Sequence, residues 1–258
     1  MIAVIISRED EASITIWSQL YGLLDWEQKA PEIFHCSRRS LTAYIIEDTH
    51  LYHDHIDCEL ASRGFAPDAV VYASRHTSKS HRKTLSVHPI GNYGIADFGG
   101  HESTLVPAAP HLMAQALCYM AEDAHDLPYT VCYEVTHHGP FLETPTLFIE
   151  VGSTINEWKD KKACRKVAAA IAQMDILAEN KVAVGIGGGH YAPRFTGIAL
   201  QEGVAFGHIV PQYQLDNINR AMISQIVAAT PKVESVYSHG TKAEPFLPWF
   251  AEEGLKIQ

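Results

Sequence analysis

The sequence predicts an α/β protein of three layers, in which helices cover a mixed, mainly parallel sheet. Apolar runs typical of buried strands alternate with amphipathic helical patterns along the chain. The 258 residues can bury a large core, and a composition of 47% apolar and 19% charged residues is ordinary for a globular protein. We predict one domain over residues 1–258, with an N-terminal lobe at about residues 1–75 as the alternative.

In the first half of the chain a strand is predicted at residues 2–6. A helix follows, since Ala12, Ile16, Leu20 and Leu24 recur every four positions. Strands are predicted around residues 41–45 and 69–73, joined by a helix at about 54–63 that Gly64 ends. Residues 75–100 are polar with one short strand at 84–88, and a long irregular stretch of this kind is more often functional than accidental.

In the second half a helix opened by prolines is predicted at residues 107–124, before strands at 130–135 and 146–151. The longest helix is predicted at 156–179, because Thr154 and Glu157 have the spacing of a capping box. Strands at 181–186, 195–200 and 204–210 follow, then a helix at 217–229, a strand at 233–237 and a short helix at 246–252. Ligands of such sheets bind beyond the carboxyl ends of the strands.

Composition argues against several classes of protein. No apolar run approaches the roughly 20 residues of a membrane span, and the short apolar start lacks the basic lead of a signal peptide. Five scattered cysteines without a C-x-x-C pair do not suit a disulfide framework or a thiolate zinc site. We therefore expect a cytoplasmic protein, with neither a membrane nor a protein partner implied.

The charge pattern is uneven. A formal net charge of -10 argues against a general nucleic-acid binder. Basic side chains nevertheless gather in two runs, at residues 75–83 and 159–166. Runs of this kind are as often a solvated face as a binding surface, so the two interpretations stand side by side.

Glycine-rich turns carry histidines at three places: His101, the pair His137 and His138, and His190. The last two turns directly follow predicted strands. A rigid strand fixes the imidazole while glycine lets a substrate approach closely, which suits proton transfer or metal ligation. Of the 15 histidines in the chain, several fit surface or structural roles better: His35, His50, His125 and His208.

Several motifs are more specific together than any one of them alone. They are Arg75-His76, residues 84–92 (TLSVHPIGN), 134–140 (EVTHHGP), 144–153 (TPTLFIEVGS) with Trp158, and 185–194 (GIGGGHYAPR). Their combination resembles the archaeal and plant type of D-aminoacyl-tRNA deacylase, and the resemblance extends from the first strand to about Tyr237. The glycine-rich run lacks the Gly-Lys-Ser/Thr ending of a phosphate-binding P-loop.

The resemblance implies a core similar to the phosphorylase/peptidyl-tRNA hydrolase type. It also implies zinc-dependent hydrolysis of the ester that joins a D-amino acid to the 3′ end of tRNA, which recycles mischarged tRNA. Zinc takes imidazole nitrogen and carboxylate oxygen readily and acidifies its bound water. The candidate zinc ligands by this chemistry are His137, His190, Glu150 and His101.

Catalysis and substrate binding need further groups. His138 is a candidate for the chemical step, Glu134 for orienting an imidazole, and the backbone N–H groups of Gly188 and Gly189 for holding the oxyanion. On an extended segment the adjacent His137 and His138 point oppositely, so we expect one of them to face the site. The candidates for holding the tRNA acceptor end, with Tyr191 stacking on its terminal adenine, are Arg75, His76, Lys161, Lys162, Arg165 and Tyr191.

Two alternatives remain at this point. One is a hydrolase or phosphorylase of the same architecture acting on a small molecule, such as a nucleosidase or an aminopeptidase-like enzyme, which would not need the basic run at 159–166. The other is a protein without catalytic activity that buffers metal or binds tRNA. Turnover of a D-aminoacyl-tRNA separates the second alternative from an enzyme.

Overall fold

The computed structural model describes residues 1–176 and 180–258. Within these ranges no helix is both long and apolar enough to cross a membrane. The elements in chain order are β1 (Ile2–Ser7), α1 (Glu11–Tyr21), β2 (Glu27–Ala30), β3 (Ile33–Cys36), β4 (Leu41–Ile46), α2 (Ile56–Ser62), β5 (Ala69–Thr77), β6 (Thr84–His88), α3 (Pro110–Asp123), β7 (Thr130–Tyr133), β8 (Thr146–Ser153), α4 (Ile155–Trp158), α5 (Lys161–Gln173), β9 (Lys181–Gly187), α6 (Pro193–Glu202), β10 (Val204–Val210), α7 (Arg220–Ala228), β11 (Val233–His239), α8 (Leu247–Glu252) and β12 (Lys256–Ile257).

The larger sheet has eight strands in the order β2-β3-β4-β1-β5-β8-β6-β7. Strands β4, β1, β5 and β8 run parallel, and β7 is parallel to β6. The hairpin strands β2 and β3 and the β6–β8 pair are antiparallel. The predicted mixed, mainly parallel sheet is therefore confirmed.

Helices cover both faces of this sheet. Along β1, Ile2, Val4 and Ile6 pack into a core that includes residues of α1, α3 and α5. The intervening Ala3 and Ile5 pack on the opposite face, in a core with residues of α2. Every position of β1 is buried, because a central parallel strand has no solvent-facing side. This arrangement gives the three layers that the sequence predicts.

A second, smaller sheet of four parallel strands lies in the C-terminal part of the chain, in the order β10-β9-β11-β12. The sequence pattern did not separate it from the first sheet. Ala183 and Phe206 pack into the same core as α3 and α5, while Val184 and Ile186 pack into a core with residues of α7 and α8. The smaller sheet is thus covered on both faces as well.

The strand predicted at residues 195–200 is wrong, since this segment lies inside α6. Pro193 stands at the first turn of α6 and Gly203 ends it in the left-handed conformation at φ 69°. Phe195 and Ala199 are buried four residues apart, which is a helical spacing that the apolar run concealed. The short polar hairpin of β2 and β3 and the two-residue β12 were not predicted.

The long helix predicted at 156–179 is two helices. Thr154 and Glu157 form the predicted capping box of α4. The chain then breaks at Asp160, whose side chain accepts hydrogen bonds from the backbone N–H groups of Lys162 and Ala163 and so starts α5. Helix α5 ends at Gln173, and the end predicted at residues 177–179 lies outside the described part of the chain.

Candidate active site

The strand ends of the two sheets meet at one place. Strand β7 continues past Tyr133 as an extended segment that reaches the smaller sheet. Its Val135 N–H donates to the His190 carbonyl at 3.0 Å, and its Thr136 N–H donates to the Ile209 carbonyl at 3.0 Å. The segment after β7 therefore lies beside the glycine-rich turn that follows β9.

Glu134 is the centre of the site. Its side chain is fully buried, and its Oε2 lies 2.9 Å from Nε2 of His190, 3.2 Å from Nδ1 of His76 and 3.7 Å from Nε2 of His137. A buried carboxylate is costly unless positive charge surrounds it. Three imidazoles from three separate segments surround it, and the contacts of His76 with Glu134 and Glu150 raise the pKa of that imidazole, so His76 supplies the positive charge.

A second buried carboxylate, Glu150 on β8, lies on the same side of the sheet. Its Oε2 is 3.5 Å from Nδ1 of His76 and 3.5 Å from Nε2 of His88. Strand register explains the closeness, because Glu150 is the partner of Ser74 on β5 and of Ser86 on β6, two residues before each histidine. His76 thus lies between the two carboxylates.

Three imidazoles of the site have the same tautomer, because each directs its Nδ1 at a backbone carbonyl. Nδ1 of His137 is 2.7 Å from the Val135 carbonyl and Nδ1 of His138 is 2.7 Å from the Gly139 carbonyl. Nδ1 of His88 is 3.1 Å from the Pro89 carbonyl. A carbonyl only accepts, so each Nδ1 carries the proton and donates it, which leaves Nε2 of a neutral ring with a free lone pair.

The donor atoms fit a metal ion. Among the described residues, groups of three donor atoms within 4.8 Å of one another are His88 with His137 and His138, His76 with Glu134 and His190, and His88 with Glu134 and Glu150. Nε2 of His88 is buried and makes no hydrogen bond within the described chain, and the buried Oε2 of Glu134 has only the imidazole contacts given above. Nitrogen and oxygen donors of this kind suit a cation such as zinc.

The pKa values of the site residues follow from their burial and from these contacts. Burial lowers the pKa of His76, but its contacts with Glu134 and Glu150 outweigh burial and raise the pKa to about 11. Burial raises the pKa of Glu150, but His76 and His88 together bring it down to about 2. Burial, followed by the charge of His88, lowers the pKa of His138 to about 4. The site therefore holds both a charged and a neutral imidazole near neutral pH.

A cavity of about 440 Å³ opens onto these side chains. Its wall includes His76, His137, His138, Glu150 and His190, together with Leu51 and Phe98. Asp10 and His50, which the sequence did not indicate, also line it. The space suits a small organic group placed against the imidazoles.

Of the substrate-binding candidates, Arg75 and His76 line this cavity and Tyr191 contacts His76. Arg75 lines it, with its guanidinium 5.2 Å from the ring centre of Trp158. The hydroxyl of Tyr191 is 3.2 Å from Nε2 of His76 and 3.1 Å from Oγ of Ser80. The guanidinium of Arg82 stands 5.5 Å above the ring of Tyr191, so a cation already covers one face of the ring predicted to stack on adenine.

The remaining substrate-binding candidates lie outside the cavity, on α5. Lys161, Lys162 and Arg165 are exposed on the first two turns of α5. This helix follows Trp158, whose indole N–H donates to the His76 carbonyl at 3.0 Å. The basic run therefore begins close to the cavity.

His101 lies apart from the groups described above. It is about half exposed, with Nε2 3.6 Å from a carboxylate oxygen of Asp54 and its ring stacked on Phe141. In the glycine-rich turn, Gly188 has φ 78°, and a Cβ there would lie 2.6 Å from Nδ1 of His239. Gly189 faces open space within 4 Å, so its backbone is accessible to a ligand.

Sequence reasoning missed His88 as a site residue. It lies within the quoted TLSVHPIGN motif, but it ends an apolar strand and so resembled a core residue. Its ring is fully buried and lies 4.2 Å from the ring centre of His137 and 4.9 Å from that of His138. The signal that would have found it is the register of β6 with β8, which sequence alone does not give.

The fold and the site define an α/β enzyme of the hydrolase type, with a histidine and carboxylate centre at the meeting of two sheets. The family model described as D-aminoacyl-tRNA deacylase matches residues 63–246. The chain belongs to this family.

Relatives of known description support this assignment. The D-aminoacyl-tRNA deacylase of Pyrococcus abyssi is 37% identical over 254 residues, which are 95% of this chain and 93% of the relative. That of Methanosarcina mazei is 38% identical over 88% of this chain and 80% of its own length. The crystal structure of a conserved protein of unknown function, AF0625, has a TM-score of 0.92 at 32% identity and covers 100% of this chain and 94% of its own.

Proposed function

We propose that this protein hydrolyses the ester between a D-amino acid and the 3′ end of tRNA and so recycles mischarged tRNA. The observation that carries the proposal is the cavity into which His76, His137, His138, Glu150 and His190 project, with Arg75 in its wall. Membership of the deacylase family supplies the substrate class. Since charged tRNA is the substrate, we place the reaction in the cytoplasm.

We infer that zinc is the cofactor of the site. The donors that fit it are His88 with His137 and His138, and Glu134 with His76 and His190. In the second group His76 would have to release its proton when the metal binds. Of the four ligands expected from the sequence, His137, Glu150 and His190 belong to such groups and His101 does not. Bound zinc would polarise the ester carbonyl or lower the pKa of a water molecule toward about 7.

The protein's own side chains hold and move the protons of the reaction. Glu134 Oε2, 2.9 Å from Nε2 of His190, is placed to take a proton from a water molecule or to keep that imidazole oriented. His138 stays neutral because its pKa is about 4, so Nε2 is free to accept a proton or to bind a cation. We propose that the backbone N–H groups of Gly188 and Gly189 donate to the developing oxyanion; Gly189 has open space beside it, whereas His239 lies against Gly188.

The tRNA is held from outside the cavity. Arg75 in the wall and the exposed Lys161, Lys162 and Arg165 on α5 offer positive charge to the backbone of the acceptor end. Tyr191 positions His76 through its hydroxyl. We also propose that residues 1–258 work as one domain, which is supported by the backbone hydrogen bonds that tie the segment after β7 to the smaller sheet.

The direct test is hydrolysis of matched D- and L-tyrosyl-tRNA by the purified protein, with and without a chelator. We expect turnover of the D form, little turnover of the L form, and loss of activity with the chelator that added zinc restores. Equal hydrolysis of both forms would refute selectivity. Full activity after metal removal would refute the zinc proposal and leave a histidine general base.

A further inference from the structure

Two exposed aromatic side chains, Phe98 and Tyr52, belong to segments that line the cavity. Phe98 is 62% exposed and lines the cavity, and Tyr52 is 61% exposed. The Tyr52 ring approaches the backbone next to Phe98, because a Cβ placed on Gly99 would lie 3.4 Å from its Cδ1. Tyr52 also directly follows Leu51 of the cavity wall. We call Phe98 and Tyr52 the aromatic ledge.

The backbone under the ledge is held firmly. The Gly139 N–H donates to the Phe98 carbonyl at 3.0 Å, which fixes Phe98 next to His138 in the turn after β7. The side-chain amide of Asn92 donates to the carbonyls of Gly99 and His101 at 2.9 and 3.2 Å. Gly99 packs so closely on the Leu51 carbonyl that any Cβ would clash. The exposed rings are thus presented on a rigid base.

The position of the rings and the charges near them indicate which kind of ligand would bind there. Phe98 lines the same cavity as His138 and His190, so a nucleoside whose ester lies at the imidazoles shares the cavity with the Phe98 ring. Arg75 lines the same cavity, and the basic run of Lys79, Arg82 and Lys83 follows it in sequence. A ligand that is both flat and attached to phosphates matches this combination of rings and cations.

We propose that the aromatic ledge stacks the terminal nucleobases of the tRNA 3′ end, with the last adenine on Phe98 and the base before it on Tyr52. This inference rests on the proposed function and deepens it. It assigns base stacking to the ledge and leaves Tyr191, whose hydroxyl bonds to His76 and whose ring lies under Arg82, as a positioning residue. Stacking on an aromatic ring is tolerant of base identity and adds affinity without touching the ester.

The kinetic test compares two small D-tyrosine esters, one on the 3′ oxygen of adenosine and one on methyl riboside, which lacks the base. For Phe98→Ala we expect kcat/KM on the adenosine ester to fall about tenfold, which is the order of magnitude that the loss of one base–aromatic stack produces. The value on the riboside ester should not change. Phe98→Tyr should keep the wild-type value. Ile95→Ala, 74% exposed in the same loop, is the matched control and should change neither.

A second measurement does not depend on turnover. A short RNA ending in C-C and 2-aminopurine should lose fluorescence on binding wild-type protein, because stacking quenches the probe, and the quenching should be lost in Phe98→Ala. With 2-aminopurine at the penultimate position of the RNA, the quenching should be lost in Tyr52→Ala and not in Phe98→Ala. An equal loss of kcat/KM on both esters in Phe98→Ala, or unchanged quenching in both variants, would refute the proposal that the ledge stacks the bases. Failure of the wild type to hydrolyse D-tyrosyl-tRNA while quenching persists would overturn the proposed function alone.

Discussion

Glu134 and His190 join the two sheets of the protein through a separation of 2.9 Å between Oε2 and Nε2. Glu134 follows β7 of the eight-stranded sheet, and His190 follows β9 of the four-stranded sheet. The carboxylate is fully buried and the imidazole is about one third exposed at the cavity. The site therefore depends on how the two sheets are set against each other.

Replacing Glu134 with glutamine should remove the negative charge that three imidazoles surround while keeping the shape of the side chain. We expect activity on D-tyrosyl-tRNA to fall by about 10² to 10⁴, the usual contribution of a positioned acid or base. The measurement is single-turnover hydrolysis with circular dichroism as a check of folding. Glu122→Gln, an exposed glutamate on α3, is the matched control, and activity in Glu134→Gln equal to that control would contradict the assignment.

Metal content should separate the histidines of the site from the one outside it. We expect near-stoichiometric zinc in the purified protein by elemental analysis. His138→Ala and His190→Ala should lose most of it, because their nitrogens belong to the donor groups. His101→Ala should keep it, since that ring packs on Phe141 near Asp54. Retention of zinc by both site variants would show that the ion binds elsewhere.

Much of the site could be predicted because its signals are local. Glycines next to His137, His138 and His190 argue against a role for these rings in core packing. The strands before them are recognisable in the sequence as apolar runs. All three line the cavity. His101 had the same local pattern but lies beside Asp54, which shows that a glycine neighbour reports an exposed turn and not a shared site.

The parts of the site and fold that the sequence did not predict depend on pairing between distant strands. The role of His88 follows from the register of Ser86 with Glu150 across an antiparallel pair, and strand register has no local sequence signal. The same holds for the second sheet, whose strands β9 and β10 are as apolar as those of the first. The apolar content of residues 195–200 predicts a strand, although Pro193 and Gly203 on either side are the start and stop signals of a helix.

Gly152 controls the position of His76. A Cβ at this residue would lie 2.6 Å from Oγ1 of Thr84 and 2.9 Å from Cβ and Cδ2 of His76. Gly152→Ala should therefore push the imidazole away from Glu134 and Glu150 and lower kcat by about 10²-fold, with a loss of stability of about 1 to 3 kcal/mol. Gly197→Ala on α6, where a Cβ meets nothing within 4 Å, is the control and should keep full activity.

The basic run on α5 should matter for tRNA and not for a small ester. Lys161→Glu with Lys162→Glu reverses two exposed charges at the start of α5. We expect KM for D-tyrosyl-tRNA to rise at least several-fold and its salt dependence to weaken, because fewer phosphate contacts release fewer counterions. Hydrolysis of D-tyrosine methyl ester should not change. Lys242→Glu with Lys256→Glu, in the C-terminal part of the chain, is the matched control, and equal losses on both substrates would favour a small-molecule hydrolase.

Acid stability should depend on His208, which is fully buried on β10. Its Nε2 donates to the Val106 carbonyl at 3.0 Å, and its Nδ1 accepts from the Thr136 hydroxyl at 3.1 Å. Burial lowers the pKa of His208 to about 4, whereas in the unfolded chain it is about 6.5. Between these pH values the unfolded state binds the extra proton, so stability is full above about pH 6.5 and falls as the pH drops toward about 4.

His208→Gln keeps a donor for the Val106 carbonyl but cannot titrate. Because the imidazole contributes roughly 3 kcal/mol to the loss of stability in acid, the variant should lose less stability than the wild type between pH 7 and pH 4. The measurement is the free energy of unfolding by urea at a series of pH values. Thr136→Ser retains the imidazole and its hydroxyl partner and should keep the wild-type slope. An unchanged slope in His208→Gln would contradict the prediction, because it would mean that this imidazole has the same pKa in the folded and unfolded states.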